Sequence, residues 1–109
     1  MKFAILNSAM IPNEGIFSYQ NLTLEQARTW LDAHAQSAAS FVGYPQTADH
    51  ITTLAGIPGW RCRLSRDKVT LAPGDEVFVC KLAFRVDAGS KGRTQAGDWE
   101  YGLLRRIAP

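Results

Sequence analysis

Short apolar runs and helix-like segments alternate along this chain. The runs Phe3–Leu6, Gly15–Tyr19 and Ser40–Val42 are bounded by polar residues, glycine or proline, a pattern that predicts short strands. Further strands are predicted at Lys68–Leu71, Glu76–Val86 and Asp98–Leu104. Glu76–Val86 is the longest of the six, and its unbroken apolar middle is typical of a strand covered on both faces, which predicts a central position in the sheet.

Two helices are predicted from the residues at their ends. Thr23 and Gln26 form a capping-box pattern, which opens a helix that runs to about Gln36. Pro45 is typical of the first position of a second helix, and Gly56 of the residue that closes it. Two helices with a mixed sheet of five or six strands make an α+β fold, and we expect residues 1–109 to form a single domain.

Composition and charge narrow the possible partners. Hydrophobic residues make up 46% of the chain and charged residues 20%, an ordinary globular balance. No apolar run has membrane-spanning length and the start lacks a signal-peptide core, so we expect a cytoplasmic protein without a membrane partner. The net charge of +2 argues against general affinity for duplex nucleic acid but permits a small anionic ligand. Cys62 and Cys80 match no metal or redox spacing, so no metal or cofactor is predicted.

The most informative segment is residues 43–47, here called the 43–47 corner, where a strand, a glycine turn and a proline-opened helix meet. The N-terminus of a helix presents backbone N–H groups and the positive end of the helix dipole, which together attract anions such as phosphate. Gln46 and Thr47 lie in the first turn of the predicted helix. Tyr44 is expected to be partly exposed there, where its phenol can stack on a base or donate a hydrogen bond to phosphate.

Basic side chains also flank two predicted strands. Arg66 and Lys68 begin one strand and Arg85 ends the next, so a hairpin around residues 73–74 would bring Arg66 and Arg85 to one end of the sheet. Two guanidinium groups near a helix N-terminus would hold phosphate, since each offers a planar fork of donors. The alternative for these arginines is ordinary solvated surface charge.

Candidates for proton transfer are few. His50 is the histidine nearest the 43–47 corner, although its place about one and a half turns into the helix sets it deep for a ligand at the N-terminus. Tyr44 is the other candidate, and a phenol is a poor general base at neutral pH.

With these residues in place, the chain resembles the small anti-CRISPR ring nucleases of archaeal viruses, phages and bacterial mobile elements. The characterised members destroy cyclic tetra-adenylate, the messenger of type III CRISPR defence. The matching segments are Leu6–Met10, Gly15–Tyr19, Leu24–Arg28, Val69–Asp75 and Trp99–Leu104, and they follow the same order along the chain.

The resemblance implies a homodimer whose two-fold axis passes through the pocket for a cyclic ligand. It also implies that Asn7 lines the pocket, that Thr47 holds phosphate and that Arg66 and Arg85 bracket the ribose-phosphate ring. Two positions depart from the family. Tyr44 stands where the family has its catalytic histidine, and Ala88 stands where it has a proton-donating glutamate.

Three functions follow as hypotheses. The one we favour is a binding protein that sequesters a cyclic oligonucleotide or related nucleotide messenger, in the host-cell cytoplasm if the gene is viral. The alternative is an active ring nuclease that uses His50, Asp87, Lys68 or Tyr44 in non-standard roles. The third is a dimeric adaptor that binds another protein through the same face, since a fold alone does not determine function.

Overall fold

The computed structural model describes residues 2–7, 15–65, 67, 69–82 and 99–108. Its strands are β1 (Phe3–Leu6), β2 (Ile16–Leu22), β3 (Ala39–Ser40), β4 (Glu76–Leu82) and β5 (Trp99–Ala108). Its helices are α1 (Leu24–His34), which continues into the 3-10 turn Ala35–Ser37, and α2 (Pro45–Ala55). The strands form one sheet in the order β2-β5-β4-β1-β3. Strand β1 is parallel to both of its neighbours, β3 and β4, whereas β5 is antiparallel to both of its neighbours, β2 and β4. The predicted α+β class is confirmed.

The helix ends follow the predicted signals. Thr23 Oγ1 accepts a hydrogen bond from Gln26 N at 3.1 Å, and Gln26 Oε1 accepts one from Thr23 N at 2.9 Å, so the capping box is complete. Pro45 is the first residue of α2, and Gly56 ends this helix in the left-handed conformation, with φ of 62°. No helix among the described residues has the length and apolar character needed to cross a membrane.

Hydrophobic cores lie on both faces of the sheet. Because side chains alternate along a strand, Phe78 and Cys80 of β4 face the helices, while Val77 and Val79 face the other side. The helix side also contains Ile5, Trp30, Leu31, Ile51, Trp99 and Tyr101. The opposite side is closed by Val69 and Leu71, which are 3% and 1% exposed. Burial of β4 on both faces confirms its predicted central position.

The predicted hairpin around residues 73–74 is wrong. Both edges of β4 are occupied, one by parallel pairing with β1 and the other by antiparallel pairing with β5, so residues 69–71 cannot pair with it. These three residues belong to no strand, and Val69 and Leu71 pack against a face of the sheet instead. The turn itself is present, since Asp75 N donates to Ala72 O at 3.0 Å. The hairpin therefore gives no reason to place Arg66 beside Arg85.

Strand ends differ from the prediction in places. β2 extends to Leu22 and β5 extends to Ala108, because the two strands pair along seven registered positions. The described part of β4 has 7 residues against 10 in β5. Residues 83–86, which the prediction added to this strand, and the loop predicted at 88–97 lie outside the described residues.

Candidate functional site

The 43–47 corner is built by two neighbouring parallel strands. β1 and β3 pair in register, and Phe41 N donates to Ile5 O at 2.8 Å beyond the end of β3. The carboxyl ends of parallel strands meet at one edge of a sheet, so Asn7 and Gly43 come together there. Asn7 Oδ1 accepts a hydrogen bond from Gly43 N at 3.3 Å. The structure thus brings Asn7 to the edge of the corner.

Tyr44 occupies the N-cap position of α2, with extended backbone and a side chain that makes no capping hydrogen bond. Ser, Thr, Asp and Asn are the usual N-cap residues, because their side chains accept hydrogen bonds from the first turn. The Tyr44 side chain makes no such bond, so it does not itself offset the positive end of the helix dipole. Tyr44 is 65% exposed, and its ring is therefore open to a ligand.

The first turn of α2 contains the two other predicted ligand residues of the corner. Gln46 is exposed, whereas Thr47 is buried, with 5% of its surface accessible. The predicted contacts of both residues with phosphate stay predictions.

His50 faces the sheet instead of the helix end. Its ring stacks on Trp99 with centroids 4.3 Å apart and planes 5° from parallel, and its Nε2 lies 2.7 Å from the Tyr101 hydroxyl. Burial lowers the pKa of His50, and burial raises the pKa of Tyr101 to about 12, so both groups are neutral at physiological pH. This geometry gives His50 a structural role, as a polar contact between α2 and β5.

The predicted cation set falls outside the described residues. The predicted ligand residues Arg66, Lys68 and Arg85 lie outside the described residues, and so do Asp87 and Ala88. The structure instead brings two other arginines close to the corner. Arg61 and Arg63 lie in the segment that returns beside Val42, where Ser65 N donates to Val42 O at 2.9 Å.

Arg61 and Arg63 were not among the sequence-predicted site residues. The signal that could have identified them is the alternation around Cys62, which is buried while both arginines are exposed. Such an alternation indicates an extended segment with its charged residues on one side. The alternation does not reveal, from sequence alone, that this segment folds back against β3.

Comparisons with known proteins agree with this architecture. B116 of Sulfolobus turreted icosahedral virus superimposes with a TM-score of 0.75 at 15% sequence identity, covering 97% of this chain and 100% of the viral chain. The uncharacterized protein YddF of Bacillus subtilis (strain 168) is 32% identical over 57 residues, or 52% of this chain and 53% of YddF. The chain thus spans about half the length of that relative.

The structural match concerns the fold alone, because the sequence identity with the viral protein is low. The family match is broader: the STIV B116-like family model covers residues 3–96. That span contains both helices and the first four strands of the sheet, including the whole 43–47 corner. From β1 to the end of β4, therefore, the chain carries the sequence pattern of one family, and it belongs to the STIV B116-like family.

Proposed function

We propose that the protein binds a cyclic oligonucleotide or related nucleotide messenger at the 43–47 corner and sequesters it, with cyclic tetra-adenylate as the first candidate. The observation that carries this proposal is the exposed Tyr44 at the N-cap position of α2, where its side chain makes no capping hydrogen bond. The helix end attracts phosphate, and the tyrosine ring offers a stacking surface to a base. Each nucleotide of an oligonucleotide carries both a base and a phosphate, so a single nucleotide could contact the ring and the helix end together.

The proposal includes a homodimer. A cyclic tetranucleotide has two-fold symmetry, which a two-fold axis through the pocket would match. Each subunit would then contribute one 43–47 corner and, by resemblance to the ring nucleases, Arg66 and Arg85. In a virus-infected host cell, such a dimer would keep the messenger from its effector.

Sequestration fits these residues better than turnover. General acid–base groups each contribute roughly 10²–10⁴-fold to catalysis. Tyr44 and Ala88 stand where the ring nucleases have their histidine and glutamate, and the Nε2 of His50 is already paired with Tyr101. Without efficient proton transfer, cleavage of the bound nucleotide would be slow, and the site would hold its ligand intact.

The test compares the affinity of cyclic tetra-adenylate for the wild type, Tyr44→Phe and Tyr44→Ala by calorimetry. Loss of one stacked ring costs about 1–3 kcal/mol, so Tyr44→Ala should weaken binding by about tenfold or more, while Tyr44→Phe keeps the ring and most of the affinity. Tyr19→Ala is the matched control, since Tyr19 is an exposed tyrosine on β2 at the other edge of the sheet. Unchanged binding by Tyr44→Ala would contradict the proposed site.

The two alternatives give different results in the same experiment. A ring nuclease that uses the Tyr44 hydroxyl would release linear product, and Tyr44→Phe would abolish its formation. A protein-binding adaptor would bind no nucleotide, and Arg66→Ala and Arg85→Ala would then have no nucleotide affinity to reduce.

A further inference from the structure

We propose a second ligand site on this chain, in a cavity of about 630 Å³ between β3 and residues 59–65, and we infer that it takes a nucleoside phosphate. Its volume lies in the range of about 300–1,000 Å³ that is typical of small-molecule sites. The side chains that carry the proposal are Trp60, Arg61 and Arg63, none of which belongs to the 43–47 corner.

A tight turn positions the aromatic wall of the cavity. Trp60 N donates to Ile57 O at 3.2 Å, and Gly59 has a φ of 77°. Pro58 at the second position and a left-handed Gly59 at the third are typical of a type II turn. Part of the Trp60 side chain packs against the core beneath the helices, and the residue also lines the cavity. The indole is therefore held in place with part of its surface open to a ligand.

The two arginines follow this turn on one side of an extended segment. Cys62 between them is buried and is held by a hydrogen bond from its N–H to Thr52 Oγ1 at 2.9 Å. The carbonyl of Arg63 accepts a hydrogen bond from the hydroxyl of Ser40 on β3. With the backbone fixed at both points, Arg61 and Arg63 are both exposed and both line the cavity.

The charge of the cavity is unbalanced. Among the described residues, neither Arg61 nor Arg63 is within ion-pair distance of a carboxylate, and the residues that line the cavity include no Asp or Glu. Two guanidinium forks without a protein partner are suited to a phosphate, which can accept from both. The cavity thus combines a phosphate-binding pair with an aromatic stacking surface.

These two features specify the ligand class. A phosphate alone would leave the indole unused, and an apolar molecule would leave two guanidinium groups desolvated without a partner. A nucleoside phosphate satisfies both, because its base stacks on Trp60 while its phosphate accepts from the arginines. The same chemistry occurs in a free mononucleotide and at the phosphorylated end of an oligonucleotide strand.

The cavity and the corner are neighbours but use different side chains. A side chain at Gly43 would come within 3.9 Å of the carbonyl oxygen of Ser65, and Ser65 also lines the cavity. Ser65 therefore lies where the two sites adjoin, and the side chains that carry the two proposals differ. No residue of the 43–47 corner lines the cavity, so the two proposals can fail independently.

The test follows the indole N–H resonances of uniformly ¹⁵N-labelled protein during titration with adenosine 5′-monophosphate. The chain has three tryptophans, and Trp60→Phe identifies the resonance of Trp60. We expect saturable shifts of this resonance with the mononucleotide and much weaker effects with adenosine or ribose 5-phosphate alone. Arg61→Ala/Arg63→Ala should raise the dissociation constant about tenfold or more. Arg28→Ala, which replaces an exposed arginine on α1, is the matched control and should leave it unchanged.

The proposal is overturned if millimolar mononucleotide leaves the Trp60 resonance unshifted, or if ribose 5-phosphate binds as tightly as the nucleotide. It is also overturned if the double arginine variant, with an otherwise native spectrum, binds like the wild type. A 5′-phosphorylated dinucleotide distinguishes the two sources. Tighter binding than the mononucleotide supports a strand end as ligand, and equal binding supports a free mononucleotide.

Discussion

The contact between His50 and Tyr101 provides a test of whether His50 is structural. Tyr101→Phe removes only the phenol oxygen, which lies 2.7 Å from Nε2 of His50. It keeps the aromatic ring of this residue, which is only 6% exposed, with its shape and volume nearly unchanged. The substitution therefore creates no cavity in the core. It leaves the half-buried imidazole nitrogen without its partner.

The expected cost follows from that geometry. A hydrogen bond lost with one partner left unsatisfied costs about 1–3 kcal/mol, and the half-buried position of His50 favours the lower end because water can reach the ring. A loss of about 1 kcal/mol corresponds to a fall of about 4 °C in the Tm of a domain of this size. His50→Phe keeps an aromatic ring against Trp99 and removes both nitrogens, so it should cost a similar amount.

The assay is a double-mutant cycle by urea unfolding at pH 8, with nucleotide binding measured in parallel. In the His50→Phe background, Tyr101→Phe should be nearly neutral, because the phenol no longer has a partner. Nucleotide affinity should be unchanged in all three variants. If the losses in the free energy of unfolding of the two single variants add fully in the double variant, the contact is refuted. A loss of ligand binding or cleavage in a stably folded His50→Phe protein would refute a purely structural role for His50.

Burial lowers the pKa of His50 below its ordinary value of about 6.5, so the unfolded chain binds this proton more readily than the folded one. The free energy of unfolding of the wild type should therefore decline as pH falls below about 6.5. Urea unfolding from pH 8 to pH 5 should show a smaller decline for His50→Phe. Glu76 is buried, and hydrogen bonds from Trp30 and Arg105 outweigh that burial and lower its pKa, so its contribution is present above the ordinary value and lost as pH falls through the lowered one. Glu76→Gln should cost about 2 kcal/mol at pH 7 and flatten the acid limb of the stability curve; an unchanged acid limb would contradict this. Gly56→Ala should destabilise by about 1 kcal/mol in thermal unfolding, because φ is 62° there, and no loss would show that the helix end relaxes. Asn7→Ala removes the acceptor of the Gly43 N–H and should cost about 1 kcal/mol or less while weakening ligand binding, and calorimetry showing wild-type affinity would exclude Asn7 from the site.

The helices could be predicted from sequence because their signals are local. The capping box at Thr23 and Gln26 and the pair Pro45 and Gly56 lie within the helices they delimit or next to them, and the backbone chemistry of each residue determines the end. The exposed N-cap position of Tyr44 could be predicted for the same reason.

Strand pairing could not be predicted in the same way, because the partners are distant in sequence. β4 pairs with β1, more than 70 residues earlier, and that contact excludes the hairpin that the turn at residues 73–74 suggested. β5 continues through Arg105 and Arg106 to Ala108 because neighbouring strands supply hydrogen bonds, although these two charged residues resemble the end of a strand. The cavity beside Trp60 depends on the same kind of long-range return, which brings Leu64 beside Val42.

The most direct test of the central claim is to incubate the protein with cyclic tetra-adenylate, remove unbound ligand, denature the complex and identify the released molecule by mass spectrometry. We expect the intact cyclic nucleotide, at one equivalent per dimer, from the wild type, and much less from Tyr44→Ala. Linear product in excess of one equivalent per dimer would contradict sequestration and show a nuclease. Recovery of no nucleotide would contradict binding at the 43–47 corner.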